Sequence, residues 1–381
     1  MHKRLNNGAI IFSLVSAIAA ALLLAQSFGW RQSALFLIGL CAGLILHHAA
    51  FGFTAAWREF AQTGDGGGLR AQLLMLAVTV VAFSILINRG EVAGVALRGS
   101  VAPLSAAVVA GAFIFGIGMQ LGGGCASGTL FTVGGGNSRM LVTLIAFVAG
   151  SVLGSWHWGF WQAAPRIEPI ALTQQFGVIG GIAISLILFA TVWALTLSYQ
   201  RKRQPAIKDD LKSYHLLRGP WPLIAGALAL ASVNCATLLL AGRPWGVTSA
   251  FTLWGAKLLT LFGADLSSWE YWARPSAAAA LEQSLLADVT SVMNFGIMLG
   301  ALLASGLAEK FSPTMKIPAK SLLAAVIGGI MLGYGARIAY GCNIGAYFGG
   351  ISSTSLHGWL WFGAALAGST LGTKLRPRFS L

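Results

Sequence analysis

Two cysteines stand where a polypeptide has little reason to stay helical. Residues 122–128 read Gly-Gly-Gly-Cys-Ala-Ser-Gly, and Gly134-Gly135-Gly136 follow shortly after. Residues 341–345 read Gly-Cys-Asn-Ile-Gly, ahead of Gly349 and Gly350. Glycine is about 1 kcal/mol worse than alanine inside a helix, so runs this dense predict a broken backbone at Cys125 and at Cys342. A neutral thiol is a weak donor and a weak acceptor. It can hold a soft, polarisable sulfur anion loosely enough to release it, which is what passage requires. A redox or nucleophilic thiol calls instead for a depressed pKa and a resolving partner. No Cys-x-x-Cys spacing occurs among Cys41, Cys125, Cys235 and Cys342. For one Gly-Cys block alone, inert packing in a close helix contact is the favoured reading.

The block is written twice, and that reverses the preference. Gly116, Gly118, Gly124, Cys125 and Gly128 match Gly333, Gly335, Gly341, Cys342 and Gly345 at a single offset of 217 residues. After a one-residue gap, Gly150-Ser-Val-Leu-Gly154 matches Gly368-Ser-Thr-Leu-Gly372. Earlier in each half, Phe51-Gly-Phe-Thr-Ala-Ala56 resembles Trp245-Gly-Val-Thr-Ser-Ala250, at an offset of 194. Internal duplication of this kind is a habit of transporters, which hold substrate between the repeats. Cys125 and Cys342, flanked by Gly124, Gly341 and Asn343, are therefore candidate substrate-binding residues. Gly52 and Gly246 join them through the second pair of blocks, for which a helix-packing face is an equal alternative. Near the blocks lie Asn137, Arg139, Arg337 and His357. Ionisable groups within a membrane are functional by default, although Arg139 and Arg337 also read as snorkelling side chains. His47 and His48 are adjacent, so on a helix they point apart, which argues against joint metal ligation.

The elements that must position these residues follow from composition. Of 381 residues, 56% are apolar and 9% charged, far below the quarter that a soluble domain spends on charge. Apolar stretches of bilayer-spanning length recur at Gly8–Phe28, Leu69–Ile87, Val101–Leu121, Met140–Trp161, Phe176–Leu197, Pro222–Leu240, Val289–Leu307 and Ser321–Tyr340. The first follows Met1-His2-Lys3-Arg4 and lacks a clear small-residue exit, so it reads as a retained helix rather than a signal peptide. The polar stretch Ala264–Asp288 is expected outside the hydrocarbon region, and most of the 13 tryptophans read as interface anchors. The expected fold is all-α and polytopic, with two pseudo-symmetric halves, 1–200 and 220–381, joined by a basic linker over 201–219. Broken backbone at membrane depth survives only inside protein or along a wet cavity. The glycine–cysteine turns therefore predict re-entrant loops that leave as short helices, with free amides able to face an anion.

The formal charge of +14 is placed at the ends and in the linker: Lys3, Arg4, Arg201, Lys202, Arg203, Lys208, Lys212, Arg218, Lys374, Arg376 and Arg378. That is the positive-inside pattern and puts both termini and the linker in the cytoplasm. Nucleic-acid binding would need a soluble basic module, and none is present. No Gly-x-x-x-x-Gly-Lys-Ser/Thr loop occurs, so ATP hydrolysis by this chain is not expected, and neither is a resident cofactor or metal.

At Gly118-Met-Gln-Leu-Gly-Gly-Gly-Cys125-Ala-Ser-Gly128, Pro244-Trp-Gly-Val-Thr-Ser-Ala250 and Tyr340-Gly-Cys342-Asn-Ile-Gly345 the chain resembles the YeeE/YedE family of bacterial sulfur-compound (thiosulfate) transporters. With the Gly-Ser-x-Leu-Gly tails, the likeness runs from about Gly39 onward. The resemblance implies short helices dipping in from both faces to make an hourglass-like path. It also implies thiosulfate uptake across a bacterial inner membrane, with Cys125 and Cys342 as relay thiols. The implied partners are a small sulfur-containing anion, the lipid bilayer and a cytoplasmic sulfur-carrier protein. The chain departs from the family at Gly52, where members often carry another cysteine, and its counterpart Gly246 is glycine too. That departure keeps other sulfur or selenium compounds open as cargo. Two further readings compete: a membrane thiol oxidoreductase, which would want a close cysteine pair, and a non-transporting subunit, which gives no reason for the repeated glycine–cysteine blocks.

Overall fold

The computed structural model describes residues 6–205, 215–311, 313 and 316–381. Lys3, Arg4, Lys208 and Lys212, read above as topology signals, lie outside them. The first half runs α1 (Asn7–Phe28), α2 (Trp30–His48), the short α3 (Phe53–Thr63) and α4 (Gly67–Asn88). It continues through α5 (Ala106–Gly122), the short α6 (Ala126–Gly134), α7 (Ser138–Trp156), α8 (Trp158–Gln162) and the long α9 (Leu172–Arg203). The second half contains α10 (Leu223–Ala241), the short α11 (Thr248–Leu261), α12 (Pro275–Glu282), α13 (Val289–Leu307) and α14 (Ala319–Ile338). A π-helical turn over Asn343–Phe348 then runs into α15 (Gly349–Ser352), and α16 (Leu356–Leu375) follows. Two small antiparallel ribbons, Glu91–Val92 with Val95–Ala96 and Leu104–Ser105 with Arg166–Ile167, are the named strands among the described residues.

Nine helices among the described residues are long and apolar enough to cross a bilayer. The protein is an all-α polytopic membrane protein. The long helices start where the sequence offers a cap. Ser105 Oγ accepts from the Val108 amide at 3.2 Å, Asn137 Oδ1 from Met140 at 3.0 Å, and Asp288 Oδ2 from Ser291 at 2.7 Å. α10 and α14 start after Pro222 and Pro318. Three details differ from the sequence reading. Arg201–Arg203, read as linker, complete the last turn of α9, where positive charge suits a helix C-terminus. The apolar stretch to Trp161 breaks at His157, where α7 ends. α2 and α16 are full-length helices that the apolar stretches did not single out.

α1 and α9 lie at the periphery. Ile11, Phe12, Val15 and Ile18 on α1 and Ile179, Ile187 and Leu195 on α9 are exposed, as lipid-facing side chains are. The interior is built by glycine. α14 packs on α5 and α7, α16 on α5, and α13 on α2. At Gly116 an added Cβ would meet the Ala365 carbonyl, and at Gly333 it would meet that of Phe147. At Gly150 it would meet Ile330 O, and at Gly368 Phe113 O. With no hydrophobic drive between helices in lipid, such backbone-to-backbone packing is what holds a bundle together.

Candidate functional site

Both cysteine turns form as the glycine density demands. α5 ends at Gly122, and Gly123 takes a left-handed φ of 94° that a side chain would disfavour. Cys125 then caps α6: its Sγ accepts from the Gly128 amide at 3.3 Å and lies 3.5 Å from Ser127 Oγ. In the second half Gly341 has φ 150° and Cys342 caps the π-helical turn, its Sγ accepting from the Ile344 amide at 3.4 Å. The element after Cys342 is thus π-helical where an ordinary short helix was expected. Both thiols are free and buried, at 1% and 0% exposure. α6 touches the π-helical turn. Each sulfur accepts one amide; the Cys342 S–H remains to be donated, while Cys125 also has the Ser127 hydroxyl within hydrogen-bond distance.

The flanking glycines keep these turns clear. A Cβ on Gly124 would press on Met140 Cε at 2.9 Å, and one on Gly341 on the Ala346 amide at 2.8 Å. Gly128 leaves the flank of Cys125 open, since its missing Cβ would lie 3.3 Å from the sulfur. Trp361 Nε1 donates to Gly341 O at 3.1 Å, and its ring stacks on Tyr347 at an interplanar angle of 17°. Asn343, the residue after Cys342, is fully buried with neither amide atom hydrogen-bonded. The Tyr347 hydroxyl is likewise buried without a partner. Buried polar atoms are nearly always paired; two such groups on the turn that Cys342 opens leave donors and acceptors available to a solute.

Gly52 and Gly246 behave differently. Gly52 begins α3 with ordinary extended backbone, and an added Cβ would meet nothing closer than 3.8 Å. At Gly246 the nearest atom would be Arg243 Nη1, also at 3.8 Å. Neither position requires glycine to make room for a Cβ. Gly246, Gly341 and Gly345 share one cavity of about 270 Å³.

Three buried amides position the short helices, and the sequence reading missed them. Gln120 Nε2 donates to Thr54 O on α3 at 3.1 Å and to Ser369 Oγ on α16 at 2.8 Å. Asn234 Oδ1 accepts from the Trp245 amide at 2.8 Å, and Asn294 Nδ2 donates to Val247 O at 3.0 Å. Each sits inside an apolar helix, where a lone amide is itself the signal. Other polar residues noted from sequence make local contacts, although His48 Nδ1 and His357 Nε2 are buried without a hydrogen-bond partner. His357 Nδ1 lies 2.7 Å from Ser355 Oγ, Asn137 caps α7, and the His47 and His48 rings meet edge to face at 5.9 Å.

Arg139 does not snorkel. Its Nη1 and Nη2 donate to Gly122 O and Leu121 O, both at 2.7 Å, and its Nε to Ser321 Oγ at 2.8 Å. The guanidinium thus closes the last turn of α5 immediately before the Cys125 turn. Arg139→Ala should lower stability by about 2 kcal/mol, the scale for losing charge-assisted hydrogen bonds to buried carbonyls. Arg139→Lys should recover little of it, since an ammonium cannot reproduce the fork. Thermal unfolding of the purified protein in detergent checks this, and an unchanged midpoint in Arg139→Ala would show that the fork carries no load.

Comparison with known proteins bears on this arrangement. The profile of the family described as "Sulphur transport" matches residues 48–371. The probable transporter YedE of Escherichia coli K12 is 34% identical over 163 residues, 42% of this chain and 40% of that protein. Its Salmonella typhimurium counterpart is 32% identical over the same shares. Those matches therefore span about two fifths of the YedE proteins' length. The thiosulfate transporter TsuA of Spirochaeta thermophila is 25% identical over 333 residues, 85% of this chain and 92% of that protein.

Proposed function

Because this chain belongs to the sulphur-transport family, we propose that it carries a small sulfur anion, thiosulfate first among them, through the bilayer past Cys342 and Cys125. The observation that carries the reading is the pair of buried free thiols, each capping a short element, each with its sulfur engaged by an amide, on elements that touch. A thiosulfate ion that sheds water on such a path meets S–H donors and the unpartnered atoms of Asn343 and Tyr347. Each contact is weak enough to let the ion move on.

The two halves are read as inverted repeats. The close approaches in the core are reciprocal. Gly116 against Ala365 becomes Gly333 against Phe147 under the sequence offsets, and Gly368 against Phe113 becomes Gly150 against Ile330. A two-fold axis generates such pairs. Between the start of α2 and the start of its counterpart α10 lie five long spans, α2, α4, α5, α7 and α9. α3 and α6, of 11 and 9 residues, are too short to cross about 30 Å at 1.5 Å per residue. An odd number of crossings inverts the second repeat and brings the two cysteine turns in from opposite faces. With basic ends inside, Cys125 is on the cytoplasmic side of a bacterial inner membrane and Cys342 on the outer side. A cytoplasmic sulfur-carrier protein is the partner this direction calls for. Gly52 and Gly246 leave room without a thiol, which favours a bulkier sulfur or selenium compound as the second reading.

The test is accumulation of labelled thiosulfate by cells lacking their own route. Cells producing the wild-type protein should take up thiosulfate well above the empty-vector level, and should not take up sulfate. Equal uptake with and without the protein would remove thiosulfate as cargo.

A further inference from the structure

A second cavity, of about 280 Å³, lies beside the one over the Cys342 turn and shares Gly99 with it. Arg243 and Arg337 border the first cavity, whereas among the described residues no Asp, Glu, Lys or Arg lines the second. Its polar groups are the hydroxyls of Ser84, Thr173 and Ser352–Thr354 and the side-chain amides of Asn88 and Gln174. We infer that it is a binding site for a neutral glycerol-type group bearing two or more hydroxyls, as in the headgroup of phosphatidylglycerol.

Ser84 is the residue that calls for a ligand. It is 5% exposed, and its Oγ is buried without a hydrogen-bond partner, whereas buried polar atoms are nearly always paired. The hydroxyls around it are engaged. Thr79 Oγ1 lies 2.7 Å from Ser352 Oγ, and Ser353 Oγ donates to Gly349 O at 2.7 Å. Thr354 Oγ1 accepts the Thr173 amide at 3.2 Å, and Thr354 itself holds a left-handed φ of 58°, unusual for a β-branched residue. The wall is therefore fixed by its own contacts, and Ser84 is left to a guest. The exposed amides of Asn88 and Gln174 complete the rim.

The surrounding backbone selects a neutral donor. The first four amides of α9 are spent, Leu172 and Thr173 on Thr354 O and Oγ1, Gln174 and Gln175 on Ala171 O. No open helix N-terminus is left there to hold an anion. α4 instead presents its C-terminal end, where carbonyls gather negative potential. A cation would find no carboxylate in the lining to pair with, and an unpaired buried charge is costly. Hydroxyls, which both donate and accept, meet neither penalty.

The flank of the cavity faces lipid. Ile85 on α4 and Phe176 and Ile179 on α9 are exposed. The cavity sits at the last turn of the 22-residue α4 and at the end of α9 away from Arg201–Arg203. For helices of spanning length that is headgroup depth. α9 breaks at Gly177, with φ 71° and ψ 170°, so its first turn stays pinned to Thr354 while the rest of the helix follows the bilayer. Ser100 ties the site to the Cys342 turn, its amide donating to Ser353 Oγ at 2.9 Å and its hydroxyl to Gly345 O at 3.3 Å.

Native mass spectrometry and melting temperature of the purified full-length protein in detergent test the site. The probes are short-chain phosphatidylglycerol, phosphatidic acid and phosphatidylethanolamine, and soluble glycerophosphoglycerol. Phosphatidylglycerol should bind and stabilise the wild type. Phosphatidic acid has the charge without the hydroxyls, and phosphatidylethanolamine an ammonium in their place; each should bind at least tenfold less tightly. Ser84→Leu, which fills the cavity, should weaken phosphatidylglycerol about tenfold or more, and Gln174→Ala about threefold, the scale of one hydrogen bond. If Ser84→Leu does not fold, the double variant Ser84→Ala/Gln174→Ala takes its place. Glycerophosphoglycerol binding as tightly as the lipid would support the site and make its guest a free polyol; its failure to bind would make the guest the lipid. Equal binding of phosphatidic acid, no binding of any probe, or wild-type affinity in the Ser84 variants overturns the site.

Discussion

Exchange of Cys342 for alanine should lower thiosulfate uptake about tenfold or more, and exchange of Cys125 should do the same, because a hydrogen bond to a charged group is worth about 1.5–3 kcal/mol and each 1.4 kcal/mol is a factor of ten in rate. The thiols are at 0% and 1% exposure, so an ion passing them has little water left to replace the lost donor. Alanine also removes a cap, since each sulfur accepts a backbone amide, and losing a cap costs about 1 kcal/mol of stability. Serine separates the two effects. Its hydroxyl is a good N-cap, so Cys125→Ser and Cys342→Ser should fold as well as the wild type. They should still transport slowly, because a hydroxyl lacks the polarisability that suits sulfur. The assay is initial uptake at matched membrane expression. Wild-type rates in both serine and alanine variants would leave the cysteines as packing residues and move the path elsewhere.

The second large effect is on the fold. Gly116→Ala and Gly333→Ala should each destabilise the protein by about 1–3 kcal/mol, the range for overpacking a tight contact. Helix propensity alone would favour alanine by up to about 1 kcal/mol. Steric space decides the sign here: an added Cβ would collide with the Ala365 carbonyl at one position and the Phe147 carbonyl at the other. A carbonyl in a packed helix cannot step aside as a flexible side chain can. Gly363, on exposed α16 surface with nothing within 4 Å of an added Cβ, is the control, and Gly363→Ala should be neutral or slightly stabilising. Thermal unfolding in detergent compares the three. If the reciprocal contacts reflect a two-fold relation, the two core variants should fall by similar amounts. A Gly116→Ala protein as stable as Gly363→Ala would show that these helices do not meet as closely as described.

How much of this was legible beforehand differs by residue. Cys125 and Cys342 stood out because glycine runs break a helix by local backbone energetics, and the break occurs at both. The short α3 and α11 were foreshadowed by the Phe51–Ala56 and Trp245–Ala250 blocks. Gln120, Asn234 and Asn294 were passed over. Each is one amide in an apolar helix, and its importance lies in which distant carbonyl or amide it reaches: Thr54, Trp245 and Val247. Arg139 was weighed as snorkelling because its partners, at Leu121 and Gly122, become reachable only when α5 stops and the chain turns back.

By itself the sequence determined that the chain lives in a bilayer, that two short blocks recur at fixed offsets, and where its backbone breaks. These follow from hydrophobic run length, residue identity at fixed offsets and the conformational cost of glycine, all local along the chain. Tertiary structure alone decided which short elements meet, which glycines are irreplaceable and which arginines are spent on helix-end carbonyls. Gly116 is irreplaceable and Gly363 is not, and Arg139 is spent on carbonyls while Arg337 is not. Composition cannot distinguish the members of either pair, because what separates them is the atom that the packing of distant helices sets opposite each.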